Sequence, residues 1–211
     1  MKSKIIKQLL KIFCLLICLS VLFSCKTTGH FSGTANLTIM IVDENGAPID
    51  DCLLVLTGLG RNEKGITNRN GICVFKNAFS GEYKISAKKI GYQKLNSAAF
   101  DFIEKCDVFC FKVISGNEIF TEVEALYDSK KYEQGFELLE EIECDKKSEL
   151  YAAVCFYKGY GLARCDKIED AINELKKLNS TDTKFADQYY SSIEKIIQMK
   201  KSKKSETGEE I

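Results

Sequence analysis

The hydrophobic pattern of this 211-residue chain changes its period once, near Ser115, Gly116 and Asn117. Before this point, β-branched and aromatic residues alternate with polar ones, which indicates strands. After it, glutamate, lysine, leucine and alanine recur at helical spacing. The pattern therefore predicts a multidomain β plus α protein, with a β domain at 36–114 and a helical domain at 117–199. Each has about 80 residues and is within the size range that folds alone.

The first residues have the layout of an export signal. Residues 1–11 contain four lysines and no acid, and the apolar run 12–23 has Ser20 as its only polar member. A membrane-spanning helix needs about 20 apolar residues, so the shorter run predicts a signal peptide that is removed. Ser24 and Cys25 follow it, with Leu22 three positions before the cysteine.

This LFSC sequence resembles the lipobox of bacterial lipoproteins. The resemblance implies that residues 1–24 are a lipoprotein signal peptide and that Cys25 becomes the acylated first residue of an exported cell-envelope protein. Two or more acyl chains hold a protein firmly at a membrane, inner or outer, by burying their methylene groups. Residues 25–35 then form a flexible tether, since they are rich in glycine, serine and threonine. The alternative interpretations are an ordinary secretory signal and an uncleaved anchor.

Charge and histidine content exclude several functions. Removal of residues 1–24 leaves 26 of the 30 basic residues and all 30 acidic ones, so a net charge near −4 does not favour nucleic acid as a partner. His30 is the only histidine and lies on the tether, so a Ser/His or Cys/His pair, or a histidine-rich metal site, is not expected within a fold. Neighbouring carboxylates such as Glu140 and Glu141 do not face one another on a helix. We therefore expect no enzymatic activity and no cofactor.

Seven cysteines remain after the signal peptide and Cys25 are set aside. An odd number cannot be fully paired within one chain. The sequence is compatible with two interpretations, mostly buried thiols or one or more disulfides, and buried thiols are favoured. The seven are Cys52, Cys73, Cys106, Cys110, Cys144, Cys155 and Cys165.

The first domain has short strand patterns separated by glycine turns. Leu37, Ile39 and Ile41 predict a first strand, and residues 52–57 its return strand after the hairpin signal Asn45-Gly46. Further turns are expected at Asn70-Gly71, Ser80-Gly81 and Gly91. Together these signals predict an antiparallel sandwich, with Tyr83, Ile85 and Ala87 in its core.

The same stretch resembles the carboxypeptidase regulatory-like domain over about 60 residues. The resemblance implies a seven-stranded sandwich of the transthyretin type that acts as a rigid, non-catalytic accessory module. The residues that match are Asn45, Gly46, Pro48, Thr67, Asn70, Gly71, Gly81, Tyr83, Gly91 and Tyr92.

Two clusters in this domain admit a ligand-binding and a structural interpretation. The four carboxylates of Asp43, Glu44, Asp50 and Asp51 suggest calcium, but they flank a hairpin without a recognisable loop pattern, so turn chemistry is favoured. Cys106 and Cys110 are expected to pack in the core, because their spacing is not that of a redox or zinc motif.

The second domain contains an internal repeat. Residues 130–142, KKYEQGFELLEEI, align with residues 166–178, DKIEDAINELKKL, at an offset of 36. The second copy resembles a tetratricopeptide repeat (TPR), with small residues Gly159 and Ala171 where paired helices approach closely. This predicts an α-helical hairpin-repeat (TPR-like) domain of about five helices. The fifth starts at a cap on Asp182 or Thr183 and ends at Met199, and residues 200–211 form a disordered charged tail.

Stacked helical hairpins form a concave surface that accepts a peptide or another protein. We expect a membrane-anchored adaptor whose first hairpin helices bind a partner, another envelope protein or peptide, around Tyr127, Tyr151, Lys158 and Arg164. The alternative is an envelope structural or carbohydrate-binding lipoprotein that uses the sandwich face. That alternative needs exposed aromatics clustered on one sheet, and Phe79, Tyr92 and Phe100 are the candidates.

Overall fold

The computed structural model describes residues 31–178 and 186–207, with side chains in the last helix described as far as Ser202. The predicted signal peptide, the predicted acylation site Cys25 and the predicted cap at Asp182 or Thr183 lie outside the described residues. Within them, no helix has the length and apolarity needed to cross a bilayer.

In the described part of the chain, seven strands form two sheets, which confirms the predicted strand number. One sheet has the order β4-β1-β7 and the other β3-β2-β5-β6. The strands are β1 (Thr34–Val42), β2 (Leu53–Gly58), β3 (Arg61–Ile66), β4 (Ile72–Phe79), β5 (Gly81–Lys88), β6 (Leu95–Phe102) and β7 (Val108–Lys112). The prediction of an entirely antiparallel arrangement is wrong, because β1 pairs with β7 in parallel.

The expected hairpin between β1 and residues 52–57 is also wrong. β1 pairs with β4 and β7, whereas β2 pairs with β3 and β5 in the other sheet. Ile49 and Cys52, 4% and 1% exposed, are buried in the segment that crosses between the sheets. Thr67 holds this crossing, since its hydroxyl donates to the Ile49 carbonyl (2.7 Å) and accepts from the Cys52 amide (2.9 Å).

Inward side chains of both sheets share one hydrophobic core, which fits a β-sandwich. Tyr83, Ile85 and Ala87 are buried in it, as predicted. The carboxylate of Asp43 accepts hydrogen bonds from the amides of Asn45 and Ala47, both at 2.8 Å, so this acid has the predicted turn role.

The thiols are distributed differently from the prediction. Cys106 and Cys110 are exposed, because Cys106 lies in the loop before β7 and Cys110 on the outward-facing side of a strand only five residues long. The seven cysteines in the described part of the chain are free; Cys52, Cys73 and Cys155 are buried, while Cys144 and Cys165 are intermediate.

Among residues 31–178 and 186–207, five helices follow the sheets, in agreement with the predicted number. They are α1 (Gly116–Asp128), α2 (Tyr132–Glu141), α3 (Glu149–Arg164), α4 (Ile168–Leu178) and α5 (Ala186–Thr207). The predicted disordered tail is wrong for residues 200–207, because α5 continues through them. Lys200 fixes this extension by donating to the Asp166 carboxylate (2.6 Å) and the Arg164 carbonyl (3.1 Å).

The repeat found in the sequence is also a repeat of backbone geometry. Lys130 and Asp166, 36 positions apart, both have positive φ, +60° and +65°, at the turn between two helices. The next amide closes each turn in the same way: Lys131 donates to Leu126 at 2.8 Å, and Lys167 to Leu162 at 3.0 Å. Such left-handed residues with closing bonds are typical helix C-termini. The chain therefore contains two copies of one helical hairpin.

The sheets and the helices are joined by backbone hydrogen bonds. The Gly91 amide donates to Glu143, the Lys94 amide to Glu141, and the Glu143 amide to Tyr92, at 2.8 to 2.9 Å. The β5–β6 loop therefore pairs like a short strand with the end of α2 and the segment after it. This pairing fixes the direction in which the helices leave the sandwich.

Glu44 provides a second connection, at the start of α1. Its carboxylate accepts from the Ser115 amide (3.0 Å) and hydroxyl (2.7 Å), while the same hydroxyl accepts from the Glu118 amide (3.4 Å). These hydrogen bonds to Ser115 lower the pKa of the Glu44 carboxyl. The charge also lies at the helix N-terminus, where the helix dipole favours an anion.

We expect Glu44→Gln to lower the free energy of unfolding at pH 7 by about 1 kcal/mol, a figure that allows for solvent screening. Because the pKa of this carboxyl is lowered in the folded state, its stabilisation is present above its unfolded pKa and is lost as pH falls through the folded value. Urea unfolding at pH 7 and at about pH 3 measures this, and the difference between variant and wild type should shrink at low pH. Glu82→Gln, an exposed β5 carboxylate away from this contact, is the control; an equal loss there would contradict the assignment.

An aromatic groove between two helices as candidate functional site

The candidate site is a groove of about 290 Å³ between α1 and α3, the first helices of the two hairpins. Residues spaced by three or four positions on each helix face the same side, so α1 contributes Glu124 and Asp128 while α3 contributes the aromatic wall. The lining residues are Glu124, Tyr127, Asp128, Phe156, Tyr157, Tyr160 and Arg164.

Tyr127 forms the floor of the groove. Its side chain is 1% exposed and its hydroxyl donates to the Tyr157 carbonyl at 3.2 Å. A Cβ at Gly135 or Gly161 would come within 2.5 to 2.6 Å of the ring, so these glycines make room for it. Burial raises the pKa of Tyr127 above its ordinary value. The prediction of Tyr127 as a partner contact therefore needs correction: it is a core residue that supports the groove.

Stacked rings hold the wall in place. Phe120 stacks on Tyr157 with ring centroids 4.7 Å apart, and Phe156 stacks on Tyr189 of α5 at 4.8 Å. Tyr160 lies nearly parallel to Phe156 at 6.1 Å. Offset aromatic pairs of this kind stabilise one another beyond the area they bury. The aromatic wall is therefore fixed before any ligand arrives.

Three charged side chains line the groove. The Tyr157 hydroxyl donates to Glu124 at 2.5 Å, and burial together with this carboxylate raises the pKa of Tyr157. Arg164 donates to Asp128 at 3.1 Å, and its guanidinium lies 5.6 Å from the centroid of the Tyr160 ring. The bond to Asp128 raises the pKa of Arg164.

Of the four residues predicted to bind a partner, Arg164 and the buried Tyr127 line the groove. Tyr151 packs against the α3–α4–α5 core, and Lys158 pairs with Glu140 of α2 at 2.8 Å. Neither lines the groove. Sequence reasoning missed the half-buried wall of Phe156, Tyr157 and Tyr160, although the FYKGY run places three aromatic residues within five positions.

A second groove, of about 380 Å³, opens on the sheet formed by β2, β5 and β6 and is lined by Thr57, Gly58, Glu82, Tyr83, Lys84, Ala99, Phe100 and Asp101. Tyr83 is 1% exposed, and the Phe100 ring lies 4.4 Å from that of Phe109 in the core. Phe100 is therefore the one half-buried aromatic side chain among the residues that line this groove.

Within residues 31–178 and 186–207, no three acidic, cysteine or histidine side chains are grouped to hold a metal ion. No known family profile and no curated protein matches the chain.

Solved structures match part of the chain at low similarity. The Bacillus anthracis TIE protein is 16% identical over 39% of this chain and 17% of its own, with a TM-score of 0.36. The group B streptococcus pilus 2b backbone protein is 18% identical over 41% of this chain and 43% of its own, with a TM-score of 0.35. A streptococcal ancillary pilin is 14% identical over 39% and 30%, with a TM-score of 0.33. The chain thus spans less than half of these proteins, and the likeness carries no functional argument.

Proposed function

We propose that this protein is a non-catalytic, lipid-anchored adaptor of the bacterial cell envelope that binds another envelope protein or a peptide in the α1–α3 groove. The observation that carries the proposal is the groove itself, whose aromatic wall is fixed by stacking and bordered by charged groups. Tyrosine and arginine are the residue types that dominate the energetics of protein interfaces. A wall fixed in advance also reduces the ordering cost of binding.

The anchor and the domain families belong to the same proposal. The LFSC sequence supports acylation at Cys25. The hairpin turns repeated at an offset of 36 support a TPR-like assignment of the helices. The crossing held by Thr67 uses one of the residues that resemble the regulatory-like domain.

In this proposal the sandwich is a rigid spacer. The β5–β6 loop and Glu44 connect it to the helices, so the groove keeps a constant direction relative to the tethered end. The described aromatics give less support to a carbohydrate-binding sheet. Phe79 lies on β4, Tyr92 in the loop that contacts the helices, and Phe100 packs inward from β6.

Cross-linked capture from the native envelope, followed by mass spectrometry, tests the proposal with the full chain. We expect Tyr160→Ala to reduce capture of the partner about tenfold, because it removes an accessible ring from the wall.

Cys25→Ala should move the protein from the membrane fraction to the soluble fraction without altering the groove.

Tyr190→Ala is the matched control for capture, since Tyr190 is a half-buried tyrosine of α5 outside the groove. Cross-links confined to the sandwich, or equal capture by wild type and Tyr160→Ala, would rule out the groove as the binding surface. Retention of Cys25→Ala in the membrane fraction would count against the anchor.

A further inference from the structure

We infer that the groove binds a basic peptide segment, with a lysine or arginine side chain paired to Glu124 and its methylene stem lying on Phe156 and Tyr157. This inference rests on the proposed function and specifies its ligand. Three independent features of the groove point to it: the charge of the surrounding surface, the pairing state of its carboxylates, and the chemistry of its rings.

The first hairpin carries a strong negative charge. Between Gly116 and Glu143 its only cationic side chains are those of Lys130 and Lys131. A surface of one sign attracts ligands of the opposite sign and raises their rate of association. The same segment contains nine acidic side chains: Glu118, Glu122, Glu124, Asp128, Glu133, Glu137, Glu140, Glu141 and Glu143.

Several of these carboxylates are already paired within the chain. Asp128 pairs with Arg164, Glu133 with Lys167, and Glu140 with Lys158. Glu124 differs, because its one recorded polar partner in the described part of the chain is the neutral Tyr157 hydroxyl. A carboxylate that borders an aromatic groove and has no cation in the described structure offers an ion pair to an incoming ligand.

The aromatic wall suits a cation with an aliphatic stem. Lysine and arginine pack their methylene groups on apolar surface while the charged head stays near water or a carboxylate, and aromatic faces attract cations. The chain itself shows this chemistry, since the Arg164 guanidinium lies over the Tyr160 ring. Because Asp128 is neutralised by Arg164, an acidic peptide would instead meet Glu124, and this like-charge contact opposes binding.

Fluorescence anisotropy with the full chain tests the inference. The probe is a labelled octapeptide, Ser-Lys-Leu-Ser-Lys-Leu-Ser-Lys, compared with versions in which every lysine is acetylated or replaced by glutamate. We expect the lysine peptide to bind more tightly than both, and the advantage to fall as salt is raised. Glu124→Gln should weaken its binding about three- to tenfold.

Glu137→Gln is the control, because it removes the same charge from an exposed position of α2 outside the groove; we expect less than about a twofold change. Equal binding of the acetylated peptide, or equal effects of Glu124→Gln and Glu137→Gln, would overturn the inference. If Tyr160→Ala nevertheless reduces capture of the envelope partner, the proposed function is retained and only the inferred class of ligand is wrong.

Discussion

Replacing Gly71 by alanine is expected to lower the free energy of unfolding by about 3 kcal/mol or more. Gly71 has φ +71°, and a Cβ there would lie 2.5 Å from the Ile41 carbonyl oxygen and 3.0 Å from Cβ of Pro48. The positive φ costs an alanine about 1 kcal/mol. The clash adds more, because one neighbour is backbone and the Ile41 amide already donates to the Gly71 carbonyl at 2.9 Å. Urea unfolding followed by circular dichroism measures the loss.

Gly46→Ala separates the steric cost from the conformational one. Gly46 has a similar φ of +83°, but a Cβ there would meet nothing within 4 Å. We expect a loss of only about 1 kcal/mol for this variant. If both variants lost the same free energy of unfolding, the close approach of β1 to the Asn70-Gly71 turn would not be the reason that alanine is disfavoured at position 71.

The turn at Gly71 was visible in the sequence, whereas the strand pairing around it was not. Asn-Gly signals are local, so they locate reversals of the chain. They do not say which strands become neighbours. Ile49 and Cys52 are buried in the segment that crosses between the sheets, whereas the local pattern predicts residues 52–57 as a return strand beside β1. The parallel β1–β7 pair joins residues about 70 positions apart, which no local periodicity reports.

The predicted contact residues lie on α1 and α3, the two helices that form the groove, but Tyr127 is buried beneath it. Tyr127 fits the apolar stripe of α1 as well as a binding role, and its burial depends on two glycines of other helices, Gly135 and Gly161. A single helix pattern cannot show that contact. The predicted roles of Tyr151 and Lys158 depended in the same way on which neighbours face each side of α3, and these are α2, α4 and α5.

The composition break also predicted that the two halves fold independently, and this stays a prediction. The structure adds backbone pairing between the β5–β6 loop and the end of α2, together with the Glu44 contact to Ser115. Cutting the chain at 114 or 117 would leave the paired backbone groups and the Glu44 carboxylate without their hydrogen-bond partners. For this reason the capture and peptide-binding experiments above use the full chain.

Tyr127→Ala is expected to lower the free energy of unfolding by about 3 to 5 kcal/mol. The ring is 1% exposed and lies against Gly135 and Gly161, two positions that cannot fill the space it would leave, so a cavity would remain beneath the groove. Thermal and urea unfolding measure the loss. Because Tyr127 lies directly beneath the aromatic wall and supports it, binding in the groove should weaken as well, even at temperatures where the variant is folded.

Tyr127→Phe keeps the ring and removes only the hydroxyl that donates to the Tyr157 carbonyl. Its expected cost is about 1 kcal/mol, and groove binding should be close to that of wild type. If Tyr127 acted mainly as a partner contact through its hydroxyl, Tyr127→Phe would abolish binding, and Tyr127→Ala would leave the free energy of unfolding nearly unchanged. The two variants together therefore decide whether Tyr127 supports the groove from beneath or touches what binds in it.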